Sequence, residues 1–155
     1  MPPLSCDLYT YVEIINPIST FMVETIEDRI FPNGDRYSGN ISDDLPHGLG
    51  VCHYSNGEIY DGLWSNGLPN GNGVYYYPNG ESYGGNWVEG NITGLIKKTF
   101  KNGEIYEGEF DNDLPNGQGK ILYTDGRSYE GGFRDGKWEA PGIYTLANGQ
   151  ILPVN

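Results

Sequence analysis

The chain has 155 residues, 24 of them glycine and 13 tyrosine, and a formal charge of −12. Glycine at roughly twice its usual share, with alanine only at Ala140 and Ala147, excludes a large helical bundle. The aromatic content argues against disorder, and 9 basic against 21 acidic residues argue against nucleic acid or simple adhesion to anionic lipid.

Met1–Asp7 lacks the basic and apolar regions of a secretory signal, and no run approaches the ~18 apolar residues of a membrane span. Cys6 and Cys52 read as free thiols of a reducing, intracellular compartment. The sequons at Asn40 and Asn91 are read as chance matches. Tyr9–Ile15 and Phe21–Ile26 are apolar and β-branched, with Asn16-Pro17 between them. They read as two short strands, or a strand and a turn, in a cap formed by residues 1–30; Thr20–Arg29 also admits a short helix.

From there the chain repeats every 23 residues. Tyr37, Tyr60, Tyr83, Tyr106 and Tyr129 mark the period. Two residues on stand Gly39, Gly62, Gly85, Gly108 and Gly131; four on stand Ile41, Trp64, Trp87, Phe110 and Phe133. Gly-x-Gly follows in three units (Gly48/Gly50, Gly71/Gly73, Gly117/Gly119), with Ile96 breaking the third and Ala140 the fifth. Then come Tyr54, Tyr77, Phe100, Tyr123 and Leu146, and an Asn-Gly or Asp-Gly pair. A fixed register over five units marks a repeat architecture spanning residues 31–152, with 153–155 as a tail.

Each unit reads as two antiparallel strands. Tyr60, Gly62 and Trp64 share one face by alternation, and Gly73, Tyr75 and Tyr77 share one in the second strand. Asn79-Gly80 marks the hairpin. Pro78 cannot donate a closing hydrogen bond, so a bulged or longer turn could replace a plain two-residue one and change the register; small opposite large favours Tyr77 facing Tyr83 and Gly73 facing Trp87. Ser65–Asn70 and its equivalents, with the recurrent Leu-Pro-x-Gly, read as loops; Asn91–Gly94 and Lys137–Ala140 depart from that pattern and should differ in shape.

Tyr-x-Gly-x-Trp/Phe, then Gly-x-Gly, then Asn/Asp-Gly at this period resembles the MORN (membrane occupation and recognition nexus) repeat family. The resemblance covers about residues 31–152 and implies an all-β, elongated, single-layer antiparallel sheet of successive hairpins, twisted or curved. It also implies a scaffold or docking role; some relatives carry such repeats beside an enzyme domain, and others are linked to membranes. About eleven repeat strands at ~4.8 Å would extend roughly 50 Å.

No arrangement of residues asks for catalysis, a metal or a cofactor. His47 and His53 lack partners at metal-ligand spacing, and Cys52 and His53, as strand neighbours, point to opposite faces. The Gly-x-Gly pairs lack the helix and Lys-Ser/Thr of a phosphate loop. The one basic cluster, Lys97, Lys98 and Lys101, with Lys120 one repeat on, is a candidate contact for phosphate or an acidic partner; the plainer reading is ordinary charge on a solvated strand.

The aromatic rows are the candidate site: Tyr37, Tyr60, Tyr83, Tyr106 and Tyr129; Trp64, Trp87, Phe110 and Phe133; Tyr77, Phe100 and Tyr123. Either they only stack on one another, or part of them forms a groove for a helix or extended peptide of a protein partner. Positions varying between units, such as His53, Tyr76, Thr99, Leu122 and Thr145, or Ser38, Asp61, Gly84, Glu107 and Glu130, could set partner choice. The leading expectation is a non-catalytic scaffold. The alternatives are a membrane or phosphoinositide tether, disfavoured by the charge, and a regulator of a separate enzyme in trans. Ile151 and Leu152 on a terminal edge strand suggest dimerisation through the sheet ends.

Overall fold

The computed structural model describes residues 26–111 and 114–155, which form strands and the short connections between them. The strands are β1 (Ile26–Ile30), β2 (Arg36–Ser42), β3 (Leu45–His53), β4 (Ile59–Ser65), β5 (Leu68–Tyr76) and β6 (Ser82–Val88), then β7 (Asn91–Thr99), β8 (Ile105–Asp111), β9 (Leu114–Leu122), β10 (Ser128–Arg134), β11 (Lys137–Thr145) and β12 (Ile151–Val154). They lie in one antiparallel sheet whose strand order follows the chain, so the fold is the all-β series of hairpins that the period predicts. The expected strand at Tyr9–Ile15 lies outside the described residues. The helical alternative for Thr20–Arg29 fails over its last four residues, where β1 pairs with β2 from Ile26 onward.

Two turn types alternate. At each Asn-Gly or Asp-Gly pair the loop has three residues. Tyr54 N–H donates to the Glu58 carbonyl and Gly57 N–H to the Tyr54 carbonyl, both at 2.9 Å, with Gly57 at φ 88°. This is a type I turn closed by a left-handed bulge glycine. The Asn56 side-chain oxygen accepts the Glu58 N–H at 3.0 Å and fixes the bend. The backbone pattern recurs at Phe31, Tyr77, Phe100, Tyr123 and Leu146. Pro32 and Pro78 follow the first residue of their turns, where no N–H is needed and the fixed φ suits the bend.

The three-residue loop corrects the expected register. Cys52 faces Tyr60 and Gly50 faces Gly62, and likewise Ile121 faces Tyr129 and Gly119 faces Gly131. Glycine therefore opposes glycine, two residues away from the small-against-large pairing.

The second turn type corrects the expected loops. Asp43-Asp44, Asn66-Gly67, Glu89-Gly90 and Asp135-Gly136 each carry positive φ at both residues. That is the two-residue type I′ geometry, whose twist matches the flanking strands. Ser65–Asn70 is thus a two-residue turn, and the Leu-Pro-x-Gly segments are strand. The Pro46 and Pro69 carbonyls accept the Gly67 and Gly90 N–H groups at 2.9 Å, so a turn of one repeat is bonded to the strand before it. Asn91–Gly94 joins this scheme, with Gly94 at φ 74° like Gly48 at 75°. The fifth unit departs in having Ala140-Pro141 in place of a left-handed glycine; its register shift between Gly131 and Gly132 is shared, since β2 and β3 shift between Gly39 and Ile41 and β8 and β9 between Gly108 and Phe110.

The chain divides into two compact units. One comprises the residues up to Gly73 with Trp87–Asn91; the other comprises Val74–Asn86 and Ile92–Asn155. In the first, Phe31, Tyr37, Cys52, Tyr60, Trp64 and Trp87 are buried. In the second, the buried apolar side chains are Tyr75, Tyr83, Ile96, Tyr106, Tyr129 and Phe133. In both, the core is the aromatic side of the sheet.

Candidate functional site

The repeat glycines are seats for the repeat tyrosines. In the second unit the Tyr106 ring lies across Gly108 and, on the neighbouring strand, Gly119; a Cβ at either position would collide with the ring or hydroxyl. The hydroxyl then donates to the Glu109 carbonyl at 2.6 Å. Tyr129 repeats this over Gly131 and Gly142, donating to the Glu139 carbonyl at 2.8 Å. In the first unit Tyr37 lies over Gly39 and Gly50, and Tyr60 over Gly62 and Gly73. Their hydroxyls donate to the Asn40 and Leu63 carbonyls at 2.8 and 3.1 Å. A ring pressed flat on backbone needs two missing side chains, which is why the glycines recur as a pair. Burial holds the Tyr60 hydroxyl far above its ordinary titration range, with Asp61 adding to the effect. It pushes Tyr106 up to about 12, with the Glu109 carboxylate the smaller cause.

The large residues four positions on pack against these rings edge to face. Trp64 meets Tyr60 at 5.0 Å and Tyr37 at 5.4 Å, and Trp87 meets Tyr60 at 5.4 Å. Their indole N–H groups donate to the Gly50 and Gly73 carbonyls at 2.9 and 3.0 Å. Phe133 meets Tyr106 at 5.0 Å and Tyr129 at 5.3 Å.

Of the twelve aromatics read as a groove, Tyr37, Tyr60, Trp64, Tyr83, Trp87, Tyr106, Tyr129 and Phe133 are buried. They hold the sheet's core and offer no free face to a partner. Tyr77, Phe100, Phe110 and Tyr123, all in the second unit, are half-buried. Trp138 was not legible as a site residue because the other units carry Pro46, Pro69, Ile92 and Pro115 at its repeat position, so no aromatic row runs through it. It stacks on Tyr129 at 4.5 Å and 7° and is 42% exposed. Its indole N–H donates to the Tyr123 hydroxyl at 3.1 Å, and Tyr144 lies 5.0 Å from its ring. Arg127 closes the cluster, 5.4 Å over the Tyr123 ring, donating to the Tyr144 hydroxyl at 2.8 Å and paired with Asp125 at 2.6 Å. Burial raises the Tyr123 hydroxyl above its ordinary value, against the opposing effect of the indole hydrogen bond.

The four lysines are not brought together. Lys98 is buried on the aromatic side, its ammonium 4.7 Å from the Tyr83 and Phe100 ring centres and 5.4 Å from Phe110. Lys97 and Lys120 stand on the opposite face, paired with Glu107 at 2.8 Å and Glu130 at 3.2 Å. Lys101 is exposed in a turn. The lysine-based contact predicted for phosphate is therefore split between two faces and offset by carboxylates. Cys52 is buried beside the ring layer, while His53 and His47 are exposed. Among the described residues, no group of three or more His, Cys, Asp and Glu could hold a metal ion, and no helix is long and apolar enough to cross a membrane.

The MORN repeat family model matches residues 37–59, 60–82, 106–126 and 129–151, leaving out the third unit. No curated protein sequence matches. Two similar solved structures are the TCP domain of Drosophila melanogaster SAS-4 (dCPAP) with a proline-rich motif of Ana2, and the TCP10 domain of Danio rerio CPAP with a STIL peptide. The first is 18% identical, with 93% of this chain and 98% of that one covered and a TM-score of 0.39. The second is 19% identical, with 88% and 67% covered and a TM-score of 0.36.

Proposed function

The chain belongs to the MORN repeat family, and on that premise we propose that it is a non-catalytic docking module for a helix or extended peptide segment of another protein. The observation that carries this reading is the exposed Trp138, stacked on the buried Tyr129 and flanked by Tyr123, Tyr144 and Arg127. Such rings present large apolar area with little conformational freedom to lose, and their polar edges are already oriented by hydrogen bonds. The half-buried Tyr77, Phe100 and Phe110 extend the same aromatic side within the second unit. The reading is non-catalytic because the repeat residues are used in seating rings on backbone, with their hydroxyls bonded to carbonyls. The divided lysines add no support to a phosphoinositide tether. A regulator acting in trans would use the same docking step.

The test starts from a partner segment captured by the wild-type chain and identified, then titrated as an isolated peptide. Trp138→Ala and Tyr123→Ala should each weaken it by about tenfold or more while the β signal in circular dichroism is kept. Unchanged affinity in both folded variants would refute the site.

A further inference from the structure

The face opposite the aromatic layer carries a pattern that the docking reading does not use. In the second unit, Lys97, Glu107, Lys120 and Glu130 are successive cross-strand partners on β7, β8, β9 and β10. Their side chains are all more than half exposed. Directly opposite residues in an antiparallel pair point to the same face, so the four form one row across the strands, reading plus, minus, plus, minus. Ile143, half exposed, continues the row on β11 as the partner of Glu130. At the other end Gly84 of β6 lies against the Lys97 backbone and has no side chain. The row forms one side of a shallow trough floored by glycine backbone, including Gly108, Gly119 and Gly131.

We propose that this face binds a second copy of the same chain, face to face, about a two-fold axis parallel to the strands and midway between Glu107 and Lys120. The axis reverses the row. Lys97 then opposes Glu130 of the second copy, Glu107 opposes Lys120, and Ile143 opposes Gly84. Every plus meets a minus, and the one large side chain meets the one missing one. The adjacent row behaves in the same way. It runs Thr99, Ile105, Leu122, Ser128 by the same pairings, and reversal sets Ile105 against Leu122 and Thr99 against Ser128. An alternating row with an even number of charges is complementary to its own reverse, and an isologous interface requires that property.

Four strands at ~4.8 Å by about six residues at ~3.4 Å give roughly 400 Å² per partner, so the dimer is a weak, concentration-dependent one. Near physiological salt the ~8 Å screening length damps the mutual repulsion of two acidic chains more than it damps ion pairs in contact. The dimer is distinct from pairing through the sheet ends.

Sedimentation velocity of the full chain over a concentration series tests it. The wild type should shift toward twice the chain mass as concentration rises. Lys120→Glu sets like charges across the axis twice and should abolish the shift. Glu107→Lys combined with Lys120→Glu makes the row read plus, plus, minus, minus. That breaks the alternation within one chain but keeps the row complementary to its reverse, so the shift should return. Ile151→Lys, at the terminal strand, should leave it unchanged. A wild type that stays monomeric at its highest soluble concentration overturns the proposal. So does a dimer that survives Lys120→Glu, one lost with Ile151→Lys, or a well-folded double variant that stays monomeric.

Discussion

The third and fourth repeats, both represented in the second unit, solve one packing problem in two ways. In the fourth, Tyr106 lies on the Gly108/Gly119 pair, and its hydroxyl reaches the Glu109 carbonyl. In the third, the second glycine is Ile96, which is 4% exposed, and Ile92 packs above Gly85, within 3.2 Å of where a Cβ would stand. Lys98, where other repeats carry Cys52, Tyr75, Ile121 or Tyr144, lies among the rings of Tyr83, Phe100 and Phe110. An aliphatic side chain and a lysine stem here occupy the aromatic side, and the family model leaves this unit unmatched. The backbone scheme survives the exchange: the Phe100 turn keeps both hydrogen bonds, and β7 keeps its pairing with β8. The turns and ladder therefore set the repeat's path, and the glycine pair sets only where a ring can lie.

The largest effect is expected at Gly119. Gly119→Ile, which imitates Ile96 in a repeat that retains its seated tyrosine, should cost about 3 kcal/mol or more, because the ring has nowhere to go. The mirror change, Ile96→Ala, should cost about 2–4 kcal/mol through the cavity it leaves. Urea unfolding measures both; near-neutral values for Gly119→Ile would remove the seat from the account.

A smaller effect is expected at Tyr106. The Tyr106 hydroxyl has its value raised from 10.0 to about 12. A group whose proton is held more tightly when folded contributes stability that is complete below pH 10 and is lost as pH rises through about 12. Tyr106→Phe should therefore show a shallower alkaline loss of stability across that window than the wild type. Identical pH profiles would contradict the assignment.

The period, the two strands per unit and the position of the Asn-Gly turns were legible in the sequence, because each rests on local backbone chemistry repeated five times. The register was not. It depends on a bulge glycine that closes a three-residue loop, where the small-against-large pairing of Tyr77 with Tyr83 asks for a five-residue one, a choice that the Asn-Gly pair permits but does not dictate. The Leu-Pro segments looked like loops because proline is rare in strands. Their carbonyls accept from the next turn, a bond between repeats that single-unit reading does not show. Most consequential was the exposure of the aromatic rows. Alternation placed Tyr60 and Trp64 on one face correctly, but whether that face is open depends on the ring lying flat over two glycines on different strands. Trp138 was missed because its counterparts in other units are proline or isoleucine, so it belongs to no aromatic row. Lys97 and Lys98 looked like one cluster, although consecutive strand residues point to opposite faces.

Hydroxyl-radical footprinting of the native chain, read residue by residue by mass spectrometry, tests the central claim that the repeat tyrosines are core and only the aromatics around them are available. Tyr60, Tyr106 and Tyr129 should oxidise slowly until the protein is unfolded, while Tyr76 and Trp138, each more than 40% exposed, should oxidise at once. Repeat tyrosines that oxidise in the native protein as fast as Tyr76 would contradict the account.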